Sequence, residues 1–390
     1  MADKVVEITQ KGYFSRIGNS FKGIVFGLIL FVVSIGLLFW NEGRAVKTAK
    51  TLKEGKTAVI SVPVEPINGA NDDRLIHTIG MANTDEILID PEFELSRNAL
   101  RFRRDVEMYQ WEEDKKTEER KKLGGGTEEI TTYEYKKVWS SSLINSSDFK
   151  EISGHDNPNS IQFKSQTWNA GKGTLGAFSL TSELIEKIDS FRNASLSDSD
   201  YETFMKANTG KKVNRIENGY YIGADQSAPA IGDMRVRFTE VVPQSVSIIG
   251  KQFGGTFTAY QTSAGGSILM IEPGIKTADE MFASAEKQNS MMTWILRGVG
   301  FILAWIGLSM IFAPLSVIAD VVPFIGTIVG AGTSIISFII ALPISLITIA
   351  VAWLFFRPVL AIMLLILAGA IIGAGIFWAF KKGAASKIAS

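Results

Sequence analysis

The sequence predicts an α+β multi-pass membrane protein: four transmembrane helices, with a large strand-rich α+β extracytoplasmic domain between the first and second. Three observations carry this reading. Gly23 to Asn41 holds no charged residue, and between Arg297 and Lys381 only Asp320 and Arg357 are charged. Most remaining charge lies in Glu42 to Arg297, so an ordinary overall charged fraction of 21% hides apolar ends around a charged middle. That pattern belongs to a membrane protein carrying one large water-exposed domain.

The first span is 23–40, "GIVFGLILFVVSIGLLFW". Eighteen residues at the helical rise cover about 27 Å, just enough to cross a hydrocarbon core. No A-x-A cleavage pattern follows, so it reads as a retained anchor rather than a signal peptide. Three further spans are expected at 294–312, 332–356 and 358–380, the last closed by Lys381-Lys382. Between them, 313–331 is apolar but interrupted by Pro314, Asp320, Pro323 and glycines, and reads as a loop or re-entrant segment, with a fifth helix as the alternative. Four spans place the tails 1–22 and 381–390 on one side. Lys4, Lys11, Arg16, Lys22, Lys381, Lys382 and Lys387 outweigh Arg44, Lys47, Lys50, Lys53 and Lys56, which puts the termini in the cytoplasm. Within the first tail, Tyr13, Ile17 and Phe21 recur every four residues opposite Arg16, Asn19 and Lys22, the pattern of an interfacial helix or of a plain juxtamembrane tail.

The middle domain, 41–293, reads as strands with a few helices. Leu100–Glu113 and Ile130–Ile144 alternate roughly, and Gly124 to Gly126 supply a turn, so an extended antiparallel ribbon with a solvated tip is expected. "DMRVRFTEVV", "SVSIIGKQF", "TFTAYQT" and "SILMIE" read as a meander of four strands. Thr181 to Phe191 reads as a helix capped by Thr181 or Ser182, with Leu184, Ile185 and Ile188 on its apolar face. Thr277 to Arg297 reads as a helix leading straight into the second span.

Chemistry is sparse. Net charge is zero on 40 basic and 40 acidic residues, which gives no reason to expect nucleic acid as a partner. Cysteine is absent, so disulfides, thiolate nucleophiles and cysteine-bound metals are excluded. The two histidines, His77 and His155, sit in no metal-binding spacing, and "GHDNPNS" suggests a loop or capping role for His155. "AGKGTLG" and "GKQFGG" lack the order of a phosphate loop, no G-x-S-x-G elbow occurs, and the carboxylates fall mostly in mixed-charge runs of a solvated face. No catalytic residue, cofactor or metal is therefore expected. Gly326 with Gly330 and Gly369 with Gly373 have the G-x-x-x-G spacing that lets membrane helices approach closely. Pro343 should kink the third span, with Ser337, Ser345 and Thr348 nearby to satisfy the freed carbonyl.

One stretch stands out. "LLFWNEGRAVKTA" ends an apolar run at Trp40 and follows it at once with Asn41, Glu42, Gly43 and Arg44. Trp40 and Asn41 suit the membrane interface. Glu42 and Arg44 are hydrated just outside it, or pair with each other or with Arg297 on the returning helix, and Gly43 permits a turn or a close backbone approach. The expected role is a junction fixing the domain to the membrane.

With "NEGRAVKTAKTLKEG", the blocks "RRDVEMYQWEE", "INSSDF", "GHDNPNS", "IGDMRVRF", "NSMMTWILRGVGF" and "WLFFRP" run in order between residues 20 and 380. Together they resemble the LUMA family, also called transmembrane protein forty-three. The resemblance implies four spans, cytosolic-side termini and a lumenal or extracytoplasmic domain. It also implies a self-associating, non-enzymatic organiser or scaffold whose partners are membrane lipids and other membrane proteins. A cation channel or channel subunit is the alternative, with thin support from Ser309, Thr333, Ser334, Ser337, Ser345, Thr348 and Asp320; a lipid-handling protein is a second. The lack of cysteine and the tail "KKGAASKIAS" favour a bacterial member in the inner membrane over a eukaryotic one in the endoplasmic reticulum and inner nuclear membrane, to which the sequons at Asn145 and Asn193 point only weakly.

Overall fold

The computed structural model describes residues 4–207, 212–363 and 366. Its main helices are α1 (Tyr13–Ala58), α2 (Ser182–Glu186), α3 (Asp198–Ala207), α4 (Ala278–Ala319) and α5 (Pro323–Phe356). The chain divides into two units. One is strand-rich, built from Thr51–Arg120 and Glu129–Ser284 with the N-terminal residues up to Thr9; the other is helical, built from Gln10–Lys50, Lys121–Glu128 and the chain from Ala285 onward.

Among the described residues the strand-rich unit contains an eight-stranded and a seven-stranded sheet. In the first, neighbouring strands run Lys4–Lys11, Thr127–Ser140, Arg101–Lys121, Met234–Val241, Gly219–Ile222 and Val213–Ile216. The early part of Arg101–Lys121 alternates strictly: Phe102, Arg104, Val106, Met108 and Gln110 are buried while their neighbours are half-exposed. That is the period of a strand with one face on a core. In the second sheet, Leu75–Asn83 and Gln244–Phe253 pair antiparallel with Thr78 opposite Ile248. Phe102, Val236 and Phe238 from the first sheet and Ile76, Val246 and Ile248 from the second share one hydrophobic core. Buried among it, Arg104 donates from Nη1 to both oxygens of Asp90, at 2.6 and 2.7 Å. Its guanidinium lies 5.0 Å from the Phe93 ring centroid. Burial raises the Asp90 carboxyl, and the Arg104 charge works against that shift.

The ribbon is present, with the Lys122 amide donating to the Gly126 carbonyl at 2.8 Å across its turn, but its tip is not wholly solvated as expected: the Gly124 amide donates to the Val321 carbonyl at 3.1 Å and Gly125 accepts from Arg16 Nη1 at 2.6 Å. Its strands run further into the polar link than the alternation suggested, because their backbone bonds are satisfied across the hairpin whatever the side chains. The meander is corrected: Met234–Val241 belongs to the first sheet and Gln244–Phe253 to the second, so the chain changes sheets at Pro243. The expected helix over Thr181–Phe191 shortens to α2. Thr181 occupies the N-cap position without a side-chain cap bond, and Arg101 Nη1 takes up the carbonyls of Glu186 and Ile188 where the helix stops. The N-terminal tail also differs from expectation. Lys4–Lys11 is a strand, and the Tyr13–Phe21 stretch is the first part of α1, continuous with the apolar run rather than a separate interfacial helix.

In the helical unit, α1, α4 and α5 are each long and apolar enough to cross a membrane. The expected loop over 313–331 is helical on both sides of a three-residue turn. Helix α4 runs through Pro314 to Ala319, and α5 starts with Pro323. Proline fits there because the first residue of a helix has no helical acceptor for its N–H. Residues 358–380 and 381–390, the expected fourth span and tail, lie largely outside the described residues. Helices α1 and α4 touch backbone to backbone: a Cβ on Gly27 would lie 2.6 Å from the Gly307 carbonyl oxygen. At Pro343, Ser337 donates to Thr333 O and Thr348 to Ile344 O, so neither reaches the carbonyl of Ile339 that the proline frees.

Candidate functional site: a polar knot of three helices

The site is built where the α1 apolar run ends. Asn41 and Glu42 are fully buried there, although both are polar. An isolated carboxylate in such a place would be costly, so it needs charged and hydrogen-bonding partners. Arg297 of α4 supplies a two-pronged one, with Nε 2.7 Å from Glu42 Oε1 and Nη2 2.9 Å from Oε2. Trp353 of α5 donates its indole N–H to the same Oε2 at 2.8 Å. The Arg297 guanidinium also lies 4.7 Å from the Trp294 ring centroid.

Around Asn41 and Arg44, on either side of Glu42 in α1, a second set of hydrogen bonds continues the join. Arg44 donates to Asn289 Oδ1 at 3.1 Å, to Thr293 Oγ1 at 3.1 Å and to Asn41 Oδ1 at 3.3 Å. Asn41 Nδ2 donates to the Thr293 carbonyl at 3.0 Å, and Asn289 Nδ2 to the Ala45 carbonyl at 3.0 Å. Asn289, Thr293 and Arg297 follow one another at four-residue intervals, which lines them up on one face of α4. Gly43 leaves room for the Phe356 ring: a Cβ there would lie 2.7 Å from Phe356 Cζ. Trp40 remains more than half exposed, as an interfacial indole does.

The structure thus brings Asn41, Glu42, Gly43, Arg44 and Arg297 into one cluster. Sequence reasoning missed Asn289, Thr293, Trp353 and Phe356 as members. They lie in stretches already singled out in the sequence, the α4 residues in "NSMMTWILR" and the α5 residues in "WLFFRP", but no feature of those stretches marks them as partners of Glu42. Gly326 and Gly330 lie instead against the end of α4. A Cβ on Gly326 would collide with Asp320, and one on Gly330 would lie 2.9 Å from Ser316 Oγ. Gly369 and Gly373 lie outside the described residues.

Elsewhere, His77 is buried, with Nε2 2.9 Å from the Lys276 carbonyl and Nδ1 3.1 Å from Ser61 Oγ. His155 stacks on Tyr135 at 3.9 Å between centroids and meets the Glu151 carbonyl at 3.1 Å. In the "AGKGTLG" stretch the Gly171 and Lys172 amides are taken up by the Glu86 carboxylate, at 2.7 and 2.9 Å. A phosphate loop needs such amides open to its ligand. Among the described residues no group of three His, Cys, Asp or Glu is placed to hold a metal ion.

Residues 108–358 match the family model for transmembrane protein 43. The chain is 33% identical to the mouse and human proteins of that name over 374 residues, covering 93% of this chain and 91% of each relative. The chain belongs to the transmembrane protein 43 family. The Drosophila melanogaster homolog is 29% identical over 357 residues, covering 89% of this chain and 92% of that relative. No solved structure matches it. The family match begins beyond Glu42 and runs through Arg297 and Trp353, so two of the three knot helices lie inside it. Glu42 accepts three N–H groups from two other helices and is fully buried.

Proposed function

We propose that this transmembrane protein 43 family member is a non-enzymatic, self-associating organiser of membrane protein complexes, with its strand-rich domain outside the cytoplasm as the presenting surface. One observation carries the reading. The buried charges at the end of the α1 apolar run are spent on joining helices to one another. Such a join fixes a membrane anchor, whereas a catalytic group is held open toward a substrate. The outward surfaces of α1, α4 and α5 are dense in exposed Ile, Leu, Val and Phe, which suits lipid contact and helix association in a bilayer. A bacterial chain would act in the inner membrane and a eukaryotic one at the endoplasmic reticulum and inner nuclear membrane.

The test is reconstitution into sealed liposomes, with cross-linking for self-association, capture of cross-linked membrane proteins, and ion flux against an unrelated membrane protein. Discrete oligomers, reproducible partners and control-level flux are expected. Flux clearly above the control, lost on substituting Ser337 and Ser345, replaces the organiser with the channel. Co-purified acyl chains held by the strand-rich domain replace it with lipid handling.

A further inference from the structure

The structure sorts the cations that follow the first apolar run. Arg44 is taken up by the knot, through Asn41, Asn289 and Thr293. Lys56 pairs with Asp279 at 3.2 Å. Lys47, Lys50 and Lys53 are exposed and have no acidic partner among the described residues. Unpaired lysines on this side of the run work against the charge bias that places the termini in the cytoplasm, so insertion does not account for them.

Helices α1 and α4 set the level at which these lysines stand. Asn41 Nδ2 donates to the Thr293 carbonyl and Asn289 Nδ2 to the Ala45 carbonyl, while Gly27 packs on Gly307 at the far end. These contacts hold the two helices antiparallel in one register. That register puts Trp40 level with Trp294, both more than half exposed, and Lys47 level with Lys287. On α4 the exposed apolar surface opens with Met291 and Met292 and continues through Trp294 and Ile295. Lys287 is exposed and stands four residues before Met291, about 6 Å along the axis. On α1, residues 41–46 are all buried or half-buried, so Lys47 is the first exposed side chain after Trp40.

The headgroup region on each side of a bilayer's hydrocarbon core is about 5–7 Å thick. When α1 and α4 span, Lys47 and Lys287 therefore stand in the phosphate layer. Lys50, about one turn higher, has a stem long enough to bend back toward it; Lys53 lies a further turn away. Glu286 is the exposed acid beside Lys287, which leaves the level net positive.

We propose that Lys47, Lys50 and Lys287 form a collar that binds anionic phospholipid headgroups in the leaflet next to the knot. The indoles of Trp40 and Trp294 lie at the lower edge of the headgroups, and the ammonium groups meet the lipid phosphates above them. The collar gathers acidic lipid around the helix pair and holds the pair at one depth. It needs only that α1 and α4 span the bilayer and does not rest on the organiser reading.

The tryptophans serve as reporters. The full chain is reconstituted into phosphatidylcholine liposomes, insertion is checked by flotation after alkaline extraction, and brominated phosphatidylglycerol or brominated phosphatidylcholine is added as quencher. The ratio of the two quenching curves gives the relative association of the acidic lipid. A preference of about threefold or more is expected at low salt, falling toward one at high salt. The Lys47→Gln, Lys50→Gln, Lys287→Gln triple variant should lose it, arginine at the same three positions should keep it, and Lys11→Gln with Lys22→Gln, on the other face, should leave most of it. A parent without preference, or a triple variant equal to the parent, overturns the collar, as does an equal loss in the Lys11, Lys22 control. Displacement of the acidic lipid by inorganic phosphate at constant ionic strength shows a free-phosphate site and also overturns it. A chain that fails to float removes the spans, and the collar with them.

Discussion

Replacing Glu42 with leucine tests the knot directly. The substitution removes the acceptor of three hydrogen bonds and leaves Arg297 and the Trp353 indole N–H facing an apolar side chain. Breaking a buried ion pair by deleting one member costs about 3–5 kcal/mol, chiefly because the other charge stays buried unpaired. The Arg297 side chain is 16% exposed, so it regains some water and the lower end of that range applies. At the sensitivity expected for a unit of this size, the melting temperature in detergent should fall by about 10 °C. The informative comparison is the Glu42→Leu, Arg297→Met double variant, which removes both charges. It should recover most of the loss, because an apolar pair of similar volume replaces an ion pair at little net cost. Trp353→Phe removes one neutral donor while the guanidinium stays paired, and should cost about 1 kcal/mol. Thermal unfolding of the parent, the Glu42→Leu and Arg297→Met single variants and their double variant by tryptophan fluorescence, with size exclusion as a second readout, measures the cycle; Trp353→Phe is followed by thermal circular dichroism. A single Glu42→Leu cost below about 1 kcal/mol, or a double variant no better than the single, would refute the buried-pair reasoning.

Gly307→Val should be among the most damaging substitutions in the helical unit, because its Cβ would lie 2.7 Å from the Gly27 carbonyl oxygen and neither backbone yields easily; loss of folded yield on size exclusion checks it. Gly43→Val should also lower folded yield by driving into the Phe356 ring, and Phe356→Ala in the same chain should restore part of it. In the strand-rich unit, Arg104→Met strands Asp90 as an unpaired buried acid and should cost about 3–5 kcal/mol by denaturant melt, whereas an Asp90→Asn, Arg104→Met double variant should cost less. Burial holds the His77 imidazole below its ordinary value, with the bond to the Lys276 carbonyl opposing the shift. The unfolded chain therefore takes up the proton first as pH falls, so this contribution is whole above about pH 6.5 and declines below it toward the depressed folded value. His77→Gln should flatten that slope in melts between neutral and mildly acid pH.

The apolar runs were legible because hydropathy is a local property: α1, α4 and α5 each contain a stretch that reads without reference to anything distant. Where α4 ends was not legible. Pro314 and the glycines looked like interruptions, yet the chain turns only at Asp320 to Val322, and Pro323 opens a helix instead of closing one. Strand existence along the ribbon could be read from alternation and its glycine turn. Strand partnership could not, because residue pairs such as Val106 with Val236 depend on chain segments more than a hundred positions apart. The N-terminal strand was hidden for the same reason: "VVEITQ" has too few residues to declare itself without the Thr127–Ser140 edge beside it.

The knot shows where reading by residue type stops. A carboxylate at the end of an apolar run demands water or a partner, and the sequence left Glu42 open between hydration, Arg44 and Arg297, of which the structure pairs it with Arg297. Nothing comparable draws the eye to Trp353 or Thr293. An indole at the end of a span has a sufficient reason to be there as an interface anchor, and a threonine in a helix needs no partner beyond its own backbone. Charge announces its need for company in the sequence, whereas a neutral donor shows its use only once three helices have been brought together. Glu42 is consequently the residue from which the site could be approached, and Trp353 is the one that shows it to be a join of three helices instead of two.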